Sequence, residues 1–258
     1  MGKKIFVVFV MAMIITPITA CLSETDGWEG DVALIKNAKF RVYAKSGREY
    51  KITHTTALGA LNEASKIAEF SYTVDDSWYN QYGSLLVDSI WGIKNEGMKG
   101  WQYWVNYPDE PLPWIGADKY EVKENDTVDW FYGDFSSNPS DCELLIRIHV
   151  HLEMDELPPN VEIIKPKGGL YIFGRQVISF PGFSVVLGEI NVEANANDLQ
   201  CEIEKVEFYL NNNLIHKDEE EPYEWLFDGG KGKFNLKAIA YDMAGNEGSD
   251  EIVLFKVV

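Results

Sequence analysis

Between residues 91 and 132 the chain places five of its eight tryptophans, Trp91, Trp101, Trp104, Trp114 and Trp130, with Tyr103 and Tyr132 among them. Indole and phenol rings offer wide, rigid contact area with one polar tip, which suits a planar or ring-bearing ligand. Residues 101–106 alternate as a strand does, so Trp101 and Tyr103 point to one face and Gln102 and Trp104 to the other. A half-buried strand needs only one apolar face. Aromatics on both faces therefore mean either a core covered on two sides or a platform left open. Trp91, Trp101, Tyr103, Trp104, Asn106, Trp114 and Tyr132 are the candidate ligand-binding residues. Trp104 and Trp114, beside a proline-rich loop, are those most readily left uncovered.

Other chemistry-bearing residues carry less. His149 and His151 stand at i and i+2 and could share a metal, but no third ligand accompanies them, so satisfied strand histidines are expected and no metal site is assigned. Asp242 to Asn246 could form a calcium loop, yet Asp-x-x-Gly-Asn is more often a tight turn whose side chains bond their own backbone. Glu219, Glu220 and Glu221 read as a solvated loop, and Asn125-Asp126-Thr127 as a glycosylation sequon. There is no Gly-x-Ser-x-Gly, no His-Glu-x-x-His and no glycine-rich phosphate loop. Neither catalytic residues nor a cofactor are expected, and the chain is not read as an enzyme. A formal charge of −18 with no basic stripe argues against nucleic acid as a partner.

The N-terminus gives the most specific short signal. Lys3 and Lys4 precede an apolar run at residues 5–15 and then Ile18-Thr19-Ala20-Cys21. That is a secretory leader, too short for a comfortable membrane span. Ile-Thr-Ala-Cys resembles a prokaryotic lipobox, which makes Cys21 a lipidation site and the protein an extracytoplasmic, membrane-anchored lipoprotein; the alternative is plain secretion. Export permits disulfides, and Cys142 and Cys201 remain, one in each half of the chain. A bridge between them would staple the halves together, but two separate thiols are favoured because each cysteine borders a strand pattern.

The elements that must position these residues follow in order. Residues 1–20 are the leader and residues 21–38 read as a polar tether. Residues 40–44 and 50–54 alternate around Ser46-Gly47 as a hairpin. Thr55 or Thr56 then caps a helix whose apolar positions are Leu58, Leu61, Ala64, Ile67 and Ala68. Strands are expected at 70–74 and 85–90, the latter pairing with 101–106. Pro108, Pro111 and Pro113 make residues 107–116 an irregular loop, and residues 120–122 and 127–132 are expected to pair as a hairpin. Pro158-Pro159 is the best domain boundary. Beyond it about seven short strands are expected, including one run at 184–194.

Two resemblances emerge. The helix, then Ser89-Ile90-Trp91-Gly92-Ile93, Gly100-Trp101-Gln102-Tyr103-Trp104-Val105-Asn106, Gly116-Ala117-Asp118-Lys119-Tyr120 and Asp126-Thr127-Val128-Asp129-Trp130-Phe131-Tyr132 resemble the transcobalamin C-terminal-like domain, a soluble ligand-binding β-grasp family. Where that family commonly has Asn-Gly, this chain has Asn106-Tyr107-Pro108 and a longer loop. Pro159 to Pro166, Val206-Glu207-Phe208-Tyr209, Glu221-Pro222-Tyr223 and Ala240-Tyr241-Asp242 resemble the Ig-like modules of prokaryotic surface proteins. The implied architecture is an α+β β-grasp-like domain over residues 39–157, followed by an all-β immunoglobulin-like sandwich over 158–258. The implied function is capture of a small ligand at the cell surface, with a corrinoid-like molecule as one candidate that the resemblance implies. The alternative is a structural or adhesive protein whose two domains both bind protein partners.

Overall fold

The computed structural model describes residues 27–257; the leader, Cys21 and the first part of the expected tether lie outside them. The first domain runs β1 (Gly27–Ile35), β2 (Lys39–Tyr43), β3 (Glu49–Thr53), α1 (Ala57–Ile67), β4 (Tyr72–Asp75) and α2 (Tyr79–Tyr82). It continues through β5 (Leu86–Ile90), β6 (Ile93–Lys94), β7 (Lys99–Val105), β8 (Thr127–Asp134) and β9 (Leu144–Glu153). A four-stranded sheet ordered β1-β9-β8-β7 carries α1 across one face, with the β2-β3 hairpin and a β4-β5-β6 sheet beside it.

The tether reading is corrected here. Residues 27–35 are an edge strand running parallel to β9, with Gly27 opposite Leu145 and Ile35 opposite Glu153. Val32 and Leu34 face the core, whereas Glu29 and Asp31 face away and meet His149 (3.0 Å) and His151 (3.3 Å) across the ladder. Those histidines are satisfied by carboxylates, and the His151 side chain is held above its ordinary value by hydrogen bonds to Glu124 and Asp31.

On α1, Thr56 accepts the Gly59 amide at 3.1 Å, as an N-cap should. Leu58, Leu61 and Ala64 are buried and Ala68 packs against the same core, but Ile67 is exposed. His54 Nδ1 accepts the Ile35 amide (2.8 Å), which leaves the ring proton on Nε2 to reach Glu63 Oε1 (2.8 Å). Lys66 joins the same carboxylate at 2.7 Å. Burial disfavours the Glu63 charge, yet hydrogen bonds from His54 and Lys66 prevail and bring its pKa down to about 2.

Strand β8 is the axis of this domain. Val128, Trp130 and Tyr132 join the core that α1 covers. On the opposite face Asp129 is fully buried and accepts two hydrogen bonds from Arg147 (2.8 and 2.9 Å), the bidentate pairing that a buried carboxylate requires. Two expected pairings do not form. β7 pairs with β8 instead of with β5, and residues 120–122 contribute only a single bridge, from Glu121 to Thr56, in place of a hairpin with β8. The long loop between β7 and β8 lets those two strands meet directly.

The second domain consists of β10 (Asn160–Lys165), β11 (Gly169–Ile172), β12 (Arg175–Ile178), β13 (Phe183–Leu187) and β14 (Ile190–Asn197), then β15 (Ile203–Leu210), β16 (Asn213–Asp218), β17 (Tyr223–Phe227), β18 (Gly232–Asp242) and β19 (Glu247–Lys256). Its two sheets, β10-β14-β17 and β12-β11-β13-β19-β18-β15-β16, enclose one core around Ile163, Val192, Phe208 and Leu236. The single run expected at 184–194 is two strands, broken where Gly188 takes φ +85. Arg41 of β2 joins the domains by donating to the carbonyls of Ile203 (2.8 Å) and Glu204 (2.6 Å).

Candidate functional site

A cleft of about 600 Å³ opens between α2 and the far end of the proline-rich loop, lined by Trp78, Tyr82, Leu86, Trp114, Ile115 and Lys119 among others. Its two walls are built differently. α2 is a single turn closed by Gly83, which adopts φ +67 and donates to the Tyr79 carbonyl at 2.7 Å. None of its residues is buried, and Trp78 and Tyr82 lie 6.3 Å apart facing outward.

The other wall is pinned at both ends. At its start Asn106 takes φ +56 and donates to Asp126 (2.9 Å) and Glu110 (3.1 Å) while accepting the Thr127 amide (2.9 Å). Trp104 Nε1 donates to the Glu110 carbonyl at 2.7 Å, and its ring packs edge-on with Tyr107. At its end the Tyr103 hydroxyl donates to the Ile115 carbonyl at 2.7 Å. Burial raises the Tyr103 hydroxyl above its ordinary value, so it stays a donor. Gly116 then passes so close to Ser84 that a Cβ would sit 1.5 Å from Ser84 Oγ. Ser84 hydrogen-bonds the buried Asp118 carboxylate, which also accepts the Leu85 amide at 3.3 Å. Trp114 is left standing with 94% of its surface in solvent.

Lys119 supplies charge at the rim. Its ammonium pairs with Asp118 at 3.0 Å and sits 5.7 Å from the centre of the Tyr79 ring. Partial burial works against the cation, but the hydrogen bond and charge of Asp118 outweigh it and raise its pKa. The cleft thus combines apolar and aromatic walls with one lysine whose charge is already paired with Asp118. That arrangement fits a flat, largely apolar molecule.

The sequence-derived candidates divide sharply. Trp101 is buried, donating through Nε1 to the Ile93 carbonyl (2.8 Å) and packing on Tyr132, which is also buried. Both belong to the core. Trp91, at φ +54 in the turn between β5 and β6, packs on Phe70 at 5.0 Å and lines none of the cleft. Tyr103, Trp104 and Asn106 anchor the loop, and of the seven only Trp114 lines the cleft. Trp78, Tyr82, Leu86, Ile115 and Lys119 were missed. The available signal was Trp78, Tyr79 and Tyr82 crowded between two strands, more aromatic surface than a one-turn connection can bury.

On the other side of the loop a second cleft of about 590 Å³ is polar, lined by Glu29, Asn106, Tyr107, Asp109, Glu110, Arg147 and His149 among others. Cys142 and Cys201 are free thiols, so the possible bridge is not made. Burial pushes both thiols up, Cys201 more strongly because Asp155 adds to the effect. No described helix is long and apolar enough to cross a membrane.

Comparison with known proteins divides the chain similarly. Residues 159–251 match the family model described as a bacterial Ig domain. Residues 54–134, from the β3 end to β8, match a domain of unknown function (DUF4430). The two-sheet architecture of the second domain agrees with that Ig-like match. No curated protein matches the chain. Among solved structures, the fibronectin(III)-like modules of Clostridium thermocellum CbhA align at 22% identity and TM-score 0.31, over 38% of this chain and 100% of that one. The endo-beta-1,4-mannanase of Thermotoga petrophila aligns at 16% identity and TM-score 0.29, over 40% of this chain and only 20% of the mannanase. The N-terminal four Ig domains of Dscam1 isoform 7.44 align at 7% identity and TM-score 0.28, over 91% of this chain and 45% of that one.

Proposed function

We propose that the protein is an exported, lipid-anchored surface protein whose first domain binds a ring-bearing small molecule between Trp78, Tyr82 and Trp114. One observation carries this reading. A tryptophan 94% exposed stands over an apolar cleft of about 600 Å³, held there by a loop hydrogen-bonded at both ends. Exposing an indole forfeits its burial energy, and fixing its backbone adds an entropic cost. Such a group is usefully placed where a ligand covers it. The helix α1 packed on a mixed sheet, with the aromatic order of residues 89–132, supports a β-grasp domain of transcobalamin C-terminal-like type. A corrinoid-like ring is then one candidate ligand. The Ig-like domain serves as the stalk, Cys21 as the anchor, and the role is binding with no catalysis.

Titrating the purified chain with corrinoids and other ring-bearing metabolites tests this by tryptophan fluorescence. The expected result is saturable quenching that Trp114→Ala and Trp78→Ala each reduce at least tenfold in apparent affinity, with the far-UV spectrum unchanged. A panel that produces no quenching rejects small-molecule capture.

A second reading has its own observation. Trp78, Tyr82, Leu86, Trp114 and Ile115 are all exposed around one opening, the kind of contiguous apolar patch that also marks a protein-binding surface. Under that reading the domains are both interaction modules of an adhesive protein. Failure to quench with every small molecule, together with loss of binding to a surface partner in Trp114→Ala, selects it.

A further inference from the structure

Where the two domains meet, Asp155, Asp198 and Asp242 bring one carboxylate oxygen each to within 4.8 Å of one another. They come from three separate segments: the stretch after β9, the β14–β15 connection and the end of β18. Asp155 and Asp242 are each 1% exposed. No lysine, arginine or histidine pairs with any of the three among the described residues.

Acidic clusters are common on so acidic a chain, and clustering alone would mean little. Asp155 supplies a separate observation. Its Oδ1 accepts the Leu157 amide at 3.0 Å, and its Oδ2 is buried with no hydrogen-bond partner of good geometry among the described residues, although the Cys201 thiol lies beside the carboxylate. A buried carboxylate with an unpartnered oxygen, in a cluster of like charges, is among the costliest arrangements a fold can hold unless a cation completes it.

The surroundings hold these carboxylates in place. Asp242 Oδ1 accepts the amides of Ala244 (2.8 Å) and Asn246 (2.9 Å), and its Oδ2 accepts Asn246 Nδ2 (2.9 Å). Asp198 Oδ1 accepts the amides of Gln200 (2.8 Å) and Cys201 (3.0 Å). The Asp155 carbonyl is gripped from both domains, by Asn37 Nδ2 (3.0 Å) and Asn246 Nδ2 (3.2 Å). Asn37 Nδ2 also reaches the Ala244 carbonyl at 3.3 Å, and the Lys39 amide donates to the Met243 carbonyl at 3.2 Å. An approach exists as well: Asp198 borders a cleft of about 550 Å³ whose walls hold Glu202, Glu219, Glu220 and Glu221 against the single cation Arg41, which leaves it net acidic. That acidic rim raises the local concentration of cations.

We propose that Asp155, Asp198 and Asp242 form a Ca²⁺ site that locks the two domains together. The three carboxylate oxygens are hard donors, which suits Ca²⁺, whereas the free Cys201 thiol beside them is the soft ligand that Zn²⁺ would recruit, so the ZnCl2 titration decides between the two ions. The irregular, three-segment geometry suits the flexible shell of Ca²⁺ better than the strict octahedron of Mg²⁺. Carbonyls and water complete the coordination. This site is independent of the aromatic cleft, so either assignment can fail without the other.

The test takes the full mature chain, dialysed against EDTA, and titrates it calorimetrically with CaCl2, MgCl2 and ZnCl2 in parallel. One Ca²⁺ per chain is expected, with a Kd of about 10⁻⁴ to 10⁻³ M as for extracellular calcium modules, and a Tm that rises with Ca²⁺. Asp155→Asn should weaken binding at least tenfold and abolish the rise. In EDTA its Tm should match or exceed that of the unsubstituted chain, because one of three crowded charges is gone. Asp198→Asn, on the half-exposed member, should weaken binding similarly and decides the matter if Asp155→Asn fails to fold. Absence of Ca²⁺ binding, preference for Zn²⁺ or Mg²⁺, or unchanged affinity in a folded variant overturns the site. So does an equal loss of Tm with and without Ca²⁺, which marks a purely structural aspartate.

Discussion

The first domain holds two sets of aromatic residues whose surroundings are opposite. Trp101, Trp130 and Tyr132 lie on β7 and β8 and face the core, buried, with each polar tip matched to a main-chain carbonyl: Ile93 and Lys94 of β6 for Trp101 and Tyr132, and Ala57 of α1 for Trp130. Trp78, Tyr82 and Trp114 lie on a one-turn helix and a loop, and all three are exposed. Residue type is the same in both sets, so type does not decide role. What decides is whether a sheet and a helix close over the ring or a short connection leaves it in solvent. Tyr103 stands between them, packed on Trp130 at 5.5 Å while its hydroxyl holds the loop that carries Trp114.

The comparison breaks most forcefully at Trp130, which is 2% exposed and packs between α1 and Tyr103. Trp130→Ala removes a fully buried ring and leaves a cavity, and should destabilise the protein by about 3–5 kcal/mol. Urea unfolding measures this as a lowered midpoint with the slope retained. A loss below about 1 kcal/mol would mean that the two aromatic sets are not energetically distinct.

A smaller effect tests how α1 is held over the buried set. Glu63 has a folded pKa near 2, below its ordinary 4.5, so the folded state binds its proton more weakly than the unfolded state does. Its contribution is therefore complete above pH 4.5 and is lost as pH falls from there through about 2. Discounted for partial solvent access, that contribution is on the order of 2 kcal/mol. Unfolding free energy followed across this window should fall with acid, and Glu63→Gln should flatten that part of the profile.

The buried set was legible in the sequence because its periods are local. Residues 39–53 alternate around a Ser-Gly turn, Thr56 precedes a helical repeat, and residues 127–132 read apolar on alternate positions. β1 was not legible. Glu29 and Asp31 make it look like solvated linker, and their reason for being there, the histidines of β9, lies more than a hundred residues away. The partners of β5 and β7 were misassigned for a related reason: strand pairing depends on loop closure, which local alternation does not encode. At the candidate cleft, Trp114 was readable from its proline-rich setting, whereas Trp78 and Tyr82 were passed over between strands. The three-aspartate cluster was beyond reach, since only Asp242 sits in a recognisable turn and the others converge through tertiary structure.

The smallest stability effect is the most discriminating for function. Trp114 makes no ring–ring contact with the buried set, and its side chain stands in solvent. Trp114→Ala therefore removes little burial, and its unfolding free energy should stay within about 0.5 kcal/mol of the unsubstituted chain. Acrylamide should quench the unsubstituted protein through a readily accessible population of indoles, and that population should shrink in Trp114→Ala. A buried structural tryptophan would give the reverse pair of results: a large stability loss and little change in accessible quenching. If Trp114→Ala destabilises as Trp130→Ala does, the loop is part of the core and the exposed ring is no ligand platform. If it is neutral to folding while binding is lost, then the energy that the fold forgoes by leaving this ring uncovered is spent on the ligand.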